Sequence, residues 1–227
     1  MQRKIVLLSM VLFTNYANAL DIGDLSNTEA SGGLKEALIQ GAGKAVGKLG
    51  AVDGFLGNPE VKIPLPGYLK KAEKTMRLFG MGKQADELTL KMNRAAEAAV
   101  PEAKVLLVDA VKKMSLADAK GILTGGDDAA TQYFKKVTAT PLAEKFLPVV
   151  TKATANVQLA QQYNKYAEMA GKYGVVNKDQ ASIEQYVTQK TLDGVYLMIA
   201  QEEKAIRTDP VGQASSLLKK VFGAVAR

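Results

Sequence analysis

The chain has 227 residues, a formal net charge of +7, and no cysteine, histidine or tryptophan. Without histidine and cysteine it has no Ser-His-Asp or Cys-His triad and no zinc site of the ordinary nitrogen and sulfur type. Disulfides are excluded too, so packing must provide the stability. Alanine, leucine, lysine and glutamate dominate, and they favour helices because they lose little rotamer freedom there.

The first residues have the pattern of a secretory signal. A basic head at Met1–Lys4 precedes an apolar run at 5–13 and the small residues Ala17-Asn18-Ala19. This run is far shorter than the roughly 20 residues that span a bilayer. We therefore expect cleavage after Ala19, a periplasmic location and no transmembrane segment after processing. An N-terminal anchor or a buried helix is the alternative interpretation.

Removal of the signal, residues 1–19, lowers the formal net charge to +5 over the remaining 208 residues, because Arg3 and Lys4 are lost. A chain of this length can form one core, so we expect residues 20–227 to form a single domain. Export makes nucleic acid an improbable partner. Anionic lipids, other envelope components and proteins are plausible partners, although the lysines are scattered rather than clustered.

The N-terminal part of this domain is rich in glycine. Residues 26–49 are amphipathic and predict a helix, which its interior glycines weaken. The Gly- and Pro-rich stretch 50–67 predicts a structured loop with at most a short extended segment at 61–65.

Two amphipathic helices follow the loop. In each, apolar residues recur at intervals of three and four, which places them on one helix face. The first set is Leu65, Leu69, Ala72, Met76 and Phe79, and the second is Ala85, Leu88, Met92, Ala95 and Ala99. Gly80 and Gly82 separate the two sets and predict a helix cap followed by a turn.

Prolines and capping residues divide the middle of the chain. Pro101 predicts the start of a helix that ends near Met114. Ser115-Leu116-Ala117-Asp118 resembles a capping arrangement for a short helix ending near Leu123. Thr140-Pro141 predicts a new N-cap with a proline in the first turn, and Pro148 predicts a kink or an end.

The last part of the chain predicts three more helices. One ends at Tyr173 before Gly174. A long one begins near Ser182, with Asp179 as a competing cap, and ends at Asp209-Pro210. The buried face of the long helix is marked by Ile183, Val187, Val195, Ile199 and Ile206. A terminal amphipathic helix over 211–226 carries Lys219 and Lys220, near Arg227. It is the best membrane-surface candidate, with core packing as the alternative.

These elements predict an all-α fold: a single irregular or orthogonal bundle of roughly eight to ten short helices. Four segments also resemble a known family. They are Asp53-Gly54-Phe55-Leu56 through Pro66, Met92-Asn93-Arg94 through Ala103, Leu123-Thr124-Gly125-Gly126 through Phe134, and Tyr186-Val187-Thr188-Gln189-Lys190 through Gly194. Through them the chain resembles an uncharacterised family of exported bacterial proteins, the domain of unknown function 4197. The resemblance implies one helical domain behind a signal peptide, and it implies no activity, substrate or cofactor.

The stretch Thr124 to Asp128 is the strongest local candidate for a site. Its glycine turn offers backbone N–H groups, and Asp127 and Asp128 add two carboxylates, which would suit a ligand or a cation. The stretch lacks the acidic spacing of a calcium-binding EF-hand loop. The alternative is a helix N-terminus at which the acids act as a cap and favour the helix dipole.

Two further polar groups are candidates for ligand binding. Asn93, Arg94 and Glu97 share one side of a helix, where Arg94 could hold an anionic head group or a carboxylate. The alternative is an ion pair between Arg94 and Glu97 at i, i+3. The second group, which poses the same choice, consists of Tyr186, Gln189, Lys190 and Asp193.

Carboxylates are the remaining candidates for catalysis, since Gly41-Ala42-Gly43-Lys44 lacks the first glycine and the Ser or Thr of a phosphate-binding loop. Two carboxyl groups can hydrolyse a glycoside if an apolar environment raises one pKa. The candidates are Glu97, Glu102, Asp127, Asp128, Glu202 and Glu203. Glu202-Glu203 lies in a string typical of solvated helix surface, and the tryptophan that often supports sugar rings is missing.

We therefore expect no catalytic residue, no metal and no cofactor. The leading hypothesis is a non-catalytic, soluble periplasmic protein that binds a small amphiphilic or anionic ligand, or a protein partner. One alternative is an envelope-associated structural protein. The other is a carboxylate-dependent hydrolase acting on cell-wall glycans.

Overall fold

A computed structural model describes residues 27–171 and 182–209, and over these ranges the chain is helical without any strand. The helices are α1 Asn27–Leu49, α2 Gly67–Leu78, α3 Gly82–Ala99, α4 Ala103–Lys113, α5 Leu116–Thr124, α6 Ala129–Thr154, α7 Gln158–Gly171 and α8 Ile183–Thr208. A 3-10 turn at Val100–Glu102 joins α3 to α4. The predicted all-α bundle is confirmed. The signal at 1–19, the helix end at Tyr173 and the terminal helix at 211–226 lie outside the described residues.

Helices α6 and α8 form the centre of the bundle. α6 packs against α8, α3 and α4, while α1 packs against α8 and α4. The predicted inner face of α8 is confirmed, since all five of its apolar residues are buried: Ile183, Val187, Val195, Ile199 and Ile206. Within the described ranges, none of the helices has both the length and the apolarity needed to cross a bilayer.

The predicted break at Thr140-Pro141 is wrong, because residues 129–154 form the single helix α6 with Pro141 and Pro148 inside it. A proline in a helix interior removes one hydrogen bond and costs about 3 kcal/mol. That loss is outweighed by a stripe of buried side chains at every fourth position, since burial of one such side chain contributes about 1.5–3 kcal/mol. The stripe consists of Phe134, Leu142, Phe146 and Val150, together with Thr138.

The continuity of α6 also changes the expected set of helices. The prediction of eight to ten short helices counted the segment 129–154 more than once and understated its length. α1 has 23 residues and α6 and α8 have 26 each, so three long helices carry the bundle and shorter ones cover them.

The caps predicted at two serines are confirmed. The Ser115 side chain accepts a hydrogen bond from the backbone N–H of Asp118, and the Asp118 carboxylate accepts one from the backbone N–H of Ser115. The bonds from Ser115 lower the pKa of Asp118. At the start of α8 the Ser182 side chain accepts a hydrogen bond from the backbone N–H of Gln185.

The prediction that Phe79 continues the apolar face of α2 is wrong. Leu69 and Met76 on that face are buried, whereas Phe79 lies one residue beyond the end of the helix and is 80% exposed. The predicted glycine cap is confirmed: Gly80 has φ +78°. Its N–H donates to the Arg77 carbonyl, and the Met81 N–H donates to the Met76 carbonyl. This pair of bonds is the Schellman motif.

The loop between α1 and α2, residues 50–66, is fixed to the bundle by Phe55. This side chain is fully buried, and its ring lies against the backbone of Gly194 in α8. A Cβ atom at position 194 would stand 2.7 Å from Cε1 of the ring, which is closer than real contacts allow. Gly194 is therefore required for the close approach of the loop to α8.

We expect Gly194→Ala to lower the free energy of unfolding by about 1 kcal/mol or more, because the added methyl group overpacks the site. Phe55→Leu in the same chain should recover part of the loss, which a double-mutant cycle in urea, followed by circular dichroism, would measure. Gly43→Ala is the matched control, since nothing lies within 4 Å of its added Cβ. It should be neutral or stabilising. Equal losses at 194 and 43 would contradict the packing argument.

Candidate functional site

The predicted candidates on α3 hold the loop at 50–66. The side-chain oxygen of Asn93 accepts a hydrogen bond from the backbone N–H of Ile63 at 2.8 Å, and its amide group donates to the Ile63 carbonyl at 2.9 Å. One carboxylate oxygen of Glu97 accepts from the N–H groups of Phe55 and Leu56 at 3.0 and 3.1 Å. Both side chains are buried. They give the loop the partners that its backbone lacks.

Arg94 completes this group, which we call the α3 anchor (Asn93, Arg94 and Glu97). Its guanidinium donates to the second oxygen of Glu97 at 2.6 Å and to the carboxylate of Asp53 at 2.7 Å. The predicted pair with Glu97 is confirmed, and these two hydrogen bonds raise the pKa of Arg94. Asp53 itself has φ +65°, the left-handed conformation that aspartate tolerates better than most residues. All three residues of the α3 anchor therefore have a structural role, which is to bind the loop at 50–66.

One signal in the sequence could have indicated this role. Asn93 and Glu97 stand on or beside the apolar face of α3, next to Met92, Ala96 and Ala99. Buried polar groups require hydrogen-bond partners, and a Gly- and Pro-rich loop has unpaired backbone groups to offer. The sequence could not show which loop atoms would meet them, because these pairs are 30 and 41–42 residues apart.

The predicted stretch Thr124 to Asp128 lies between α5 and α6, and all five residues are exposed. The Thr124 hydroxyl donates to the Lys120 carbonyl, and the Asp128 carboxylate accepts from the Gln132 side chain. Asp128 occupies the N-cap position of α6 without a capping hydrogen bond from its side chain. The expectation that these aspartates cap the helix with their side chains is therefore not met at Asp128.

The N-terminus of α6 is capped from α8 by Glu203. Its carboxylate accepts from the backbone N–H groups of Ala130 and Thr131 at 3.0 and 2.9 Å, and from the Thr131 hydroxyl at 2.8 Å. Arg207, one helical turn later, donates to the same carboxylate at 2.8 Å and to the Ile122 carbonyl at 3.0 Å. A carboxylate at this position also matches the positive end of the helix dipole.

The interpretation of Glu202-Glu203 as solvated surface is wrong, because both are buried. Glu202 forms an ion pair with Lys48 of α1. The string Gln-Glu-Glu-Lys has the composition of an exposed helix face, and it does not show the partners that its two acids find on α1 and α6. Of the other carboxylate candidates, Glu102 is exposed at the end of the 3-10 turn.

We expect Glu203→Ala to lower the free energy of unfolding by about 3 kcal/mol or more, since it leaves two N–H groups and the guanidinium of Arg207 without their partner. Glu203→Gln, which keeps one acceptor, should cost less. The double substitution Asp127→Ala/Asp128→Ala is the control on the exposed side and should cost under about 1 kcal/mol. Urea unfolding would compare them. A larger loss in the free energy of unfolding for the aspartate variant than for Glu203→Ala would indicate that Asp127 and Asp128 cap α6.

Two members of the predicted group on α8, Gln189 and Asp193, line a groove between α6 and α8, and Tyr186 and Lys190 are not among its lining residues. Gln189 and Lys190 both donate to the carboxylate of Asp193, at 3.0 and 3.1 Å. The Tyr186 hydroxyl donates instead to the Pro64 carbonyl, and burial raises the pKa of Tyr186 to about 12. The groove has a volume of about 560 Å³ and carries both charges; its lining includes Lys135, Glu144, Gln189, Asp193 and Tyr196.

A second groove, of about 500 Å³, separates α4 from α6 and is also of mixed charge, with Asp109, Lys113, Asp118 and Lys136 in its lining. A third cavity, more apolar than these two grooves, lies between α2, the turn residue Met81 and α7. It has a volume of about 270 Å³. Its described lining residues are Leu69, Ala72, Met76, Met81, Leu159, Gln162 and Tyr163. We call it the α2–α7 pocket; none of the predicted site residues lines it.

The comparison with known families gives a match over most of the chain. The family described as a protein of unknown function, DUF4197, matches residues 24–223. The chain belongs to this family. The match includes every described residue and confirms the resemblance of the four segments. No curated protein and no solved structure matches the chain. Family membership therefore supplies no activity, and a function is inferred from the cavities and surfaces of the molecule.

Proposed function

We propose that the protein is a non-catalytic binding protein that takes the apolar part of a small amphiphile into the α2–α7 pocket. The observation that carries the proposal is the chemistry of the lining. Six of the seven described lining residues are apolar or aromatic, and Gln162 supplies one polar group. Ligand sites are commonly lined in this way, with a few polar groups that fix the orientation.

The size of the pocket favours a slender ligand. Pockets for drug-sized molecules usually measure about 300–1,000 Å³, and this one measures about 270 Å³. A single acyl chain suits that volume better than a fused ring system does. The positive net charge of the chain favours an anionic head group at the open end.

The walls can adjust to such a ligand. Met76 and Met81 contribute unbranched, polarisable side chains that fill irregular space, and Ala72 leaves room between them. Among the described elements, α2 packs chiefly against α3, and it is bounded by Pro66 before it and Gly80 after it. A small displacement of α2 would therefore widen the pocket without disturbing the contacts of α6 with α8.

The hydrogen-bond and ion-pair partners of the carboxylates support a non-catalytic role over glycoside hydrolysis. Glu97, Glu202 and Glu203 each hold a structural partner. Asp118 lines the groove between α4 and α6, but the hydrogen bonds from Ser115 lower its pKa. A general acid for glycoside cleavage requires a raised pKa.

A twelve-carbon fatty acid is a suitable probe. We expect dodecanoate to bind the full chain at a ratio of one to one, and Ala72→Leu to weaken binding by at least about tenfold, because the larger side chain fills the pocket. Isothermal titration calorimetry would measure both. Ala98→Leu, the same substitution at an exposed position of α3, should leave affinity unchanged.

Dodecanoate that fails to bind, or that binds Ala72→Leu as tightly as it binds the unaltered chain, would rule out the α2–α7 pocket as an acyl-chain site. A native mass spectrum of the purified protein gives an independent measurement. An added mass that is lost on denaturation and is absent from Ala72→Leu would identify the natural ligand.

A further inference from the structure

Two neighbouring hydrophobic side chains project from the turn between α2 and α3. Leu78 is 86% exposed and Phe79 is 80% exposed. Another large hydrophobic residue with comparable exposure, Val52, stands at the other end of α3, beside the loop held by the α3 anchor. Single exposed apolar residues are ordinary, but a leucine and a phenylalanine that are adjacent and almost fully exposed require an explanation.

The exposure of these side chains is built into the turn. The Schellman bonds at Gly80 and Met81 fix the backbone, and Arg77 joins the helices on either side. Its guanidinium donates to Glu73 of α2 at 2.9 Å and forms two bonds to Asp86 of α3, at 2.6 and 3.2 Å. The two hydrogen bonds to Asp86 make a bidentate ion pair, which has a defined geometry. The two side chains are therefore held outside the bundle by a structured cap and an ion-pair clamp.

The exposed surface beside the turn between α2 and α3 carries several lysines. Lys71, Lys74 and Leu78 are spaced i, i+3, i+7, which places them along one face of α2, and all three are exposed. Lys83 adds a cation at the start of α3. Of the three acids near the turn, Arg77 holds Glu73 and Asp86, and Glu87 is exposed on α3. The outward face thus joins exposed lysines to an apolar tip.

We propose that this turn docks on the surface of an anionic lipid bilayer. Leu78 and Phe79 enter the boundary between head groups and acyl chains, and Lys71 and Lys74 contact the anionic head groups. Leucine and phenylalanine beside lysines are the side chains that interfacial segments use, and each lysine near such a surface adds attraction. The proposal goes beyond the α2–α7 pocket, because it depends on the outer face of α2 and not on the pocket lining.

A bilayer fits this surface better than a second copy of the chain does. A symmetric dimer through the turn would bring Lys71 and Lys74 of both copies together, with like charges opposed. Two side chains also cover far less than the roughly 800 Å² that each partner contributes to a stable protein interface. Insertion into a lipid interface needs only a few apolar side chains together with charge attraction.

Vesicle flotation with the full chain tests the proposal. We expect binding to vesicles of phosphatidylethanolamine with phosphatidylglycerol, weak binding to pure phosphatidylcholine, and loss of affinity in high salt. Leu78→Ser/Phe79→Ser should reduce binding by at least about tenfold. Lys71→Gln/Lys74→Gln should reduce it by roughly fivefold per lysine. The controls are Val52→Ser and Lys112→Gln/Lys113→Gln, which alter exposed positions elsewhere and should bind like the unaltered chain.

A fluorescence measurement locates the contact. The chain has no tryptophan, so Phe79→Trp introduces a single reporter at the turn, and Val52→Trp places the same reporter roughly 20 Å away along α3. Vesicles containing brominated lipids should quench the first and not the second. Absence of vesicle binding, equal quenching at both positions, or undiminished binding of Leu78→Ser/Phe79→Ser would overturn the proposal. Self-association that is lost in that variant would assign the turn to a second copy instead.

Discussion

The carboxylate of Glu97 is the contact on which the position of the α1–α2 loop depends. That loop, residues 50–66, forms neither helix nor strand, and it closes only turns with its own backbone hydrogen bonds. The N–H groups of Phe55, Leu56 and Ile63 find their partners on α3 instead, since covered backbone groups must be paired. Glu97 accepts two adjacent N–H groups, and Asn93 treats the backbone of Ile63 as a strand neighbour would, with one bond accepted and one donated. With its ends fixed in this way, the loop can insert Phe55 against Gly194. Three of the four segments that carry the family resemblance therefore meet at one structural junction.

The same device recurs where helices begin. Glu203 of α8 satisfies the first turn of α6. Asn164 of α7 accepts from the N–H of Ile183, the first residue of α8, and donates to the Glu184 carboxylate. In each case a polar side chain on one helix supplies a cap to another. Removal of one member leaves a buried group unpaired, and that cost exceeds the net value of the bond itself. These pairs fix the positions of α6, α7 and α8 relative to one another.

Much of the fold could be predicted from the sequence, because it depends on local information. Apolar periodicity located the inner face of α8, and the capping box at Ser115, the side-chain cap at Ser182 and the glycine cap at Gly80 depend on residues within a few positions of one another. The continuity of α6 could not be predicted in this way. The local penalty of Pro141 is visible in the sequence, whereas the burial that offsets it comes from α3, α4 and α8.

The candidate site was harder to predict from the sequence, because it too depends on contacts between residues that are far apart along the chain. Glu203 lies 72–73 residues from the groups that it caps, and its neighbours in sequence are those of an exposed helix. The α2–α7 pocket joins residues of α2 and the turn residue Met81 to Leu159 and Tyr163, and no periodicity in either segment indicates that they face each other. The polar residues singled out in the sequence proved to be largely those that hold loops and helix ends. The pocket is lined instead by residues that the sequence marks only as apolar helix faces.

The pocket and the exposed turn share one structural element. Met76 and Met81, which line the pocket, are the two residues joined by the outer bond of the Schellman motif, and Phe79 and Gly80 stand between them. A displacement of Phe79 is therefore passed to both methionines, because Met76 and Met81 lie within three residues of it along the chain and are joined to each other by this hydrogen bond. If lipid contact and ligand binding both use this element, each must change the affinity for the other by the same factor, since coupling between two sites is reciprocal. An arrangement of α2 that is favoured at the lipid surface and widens the space around Ala72 strengthens ligand binding, and one that closes that space weakens it.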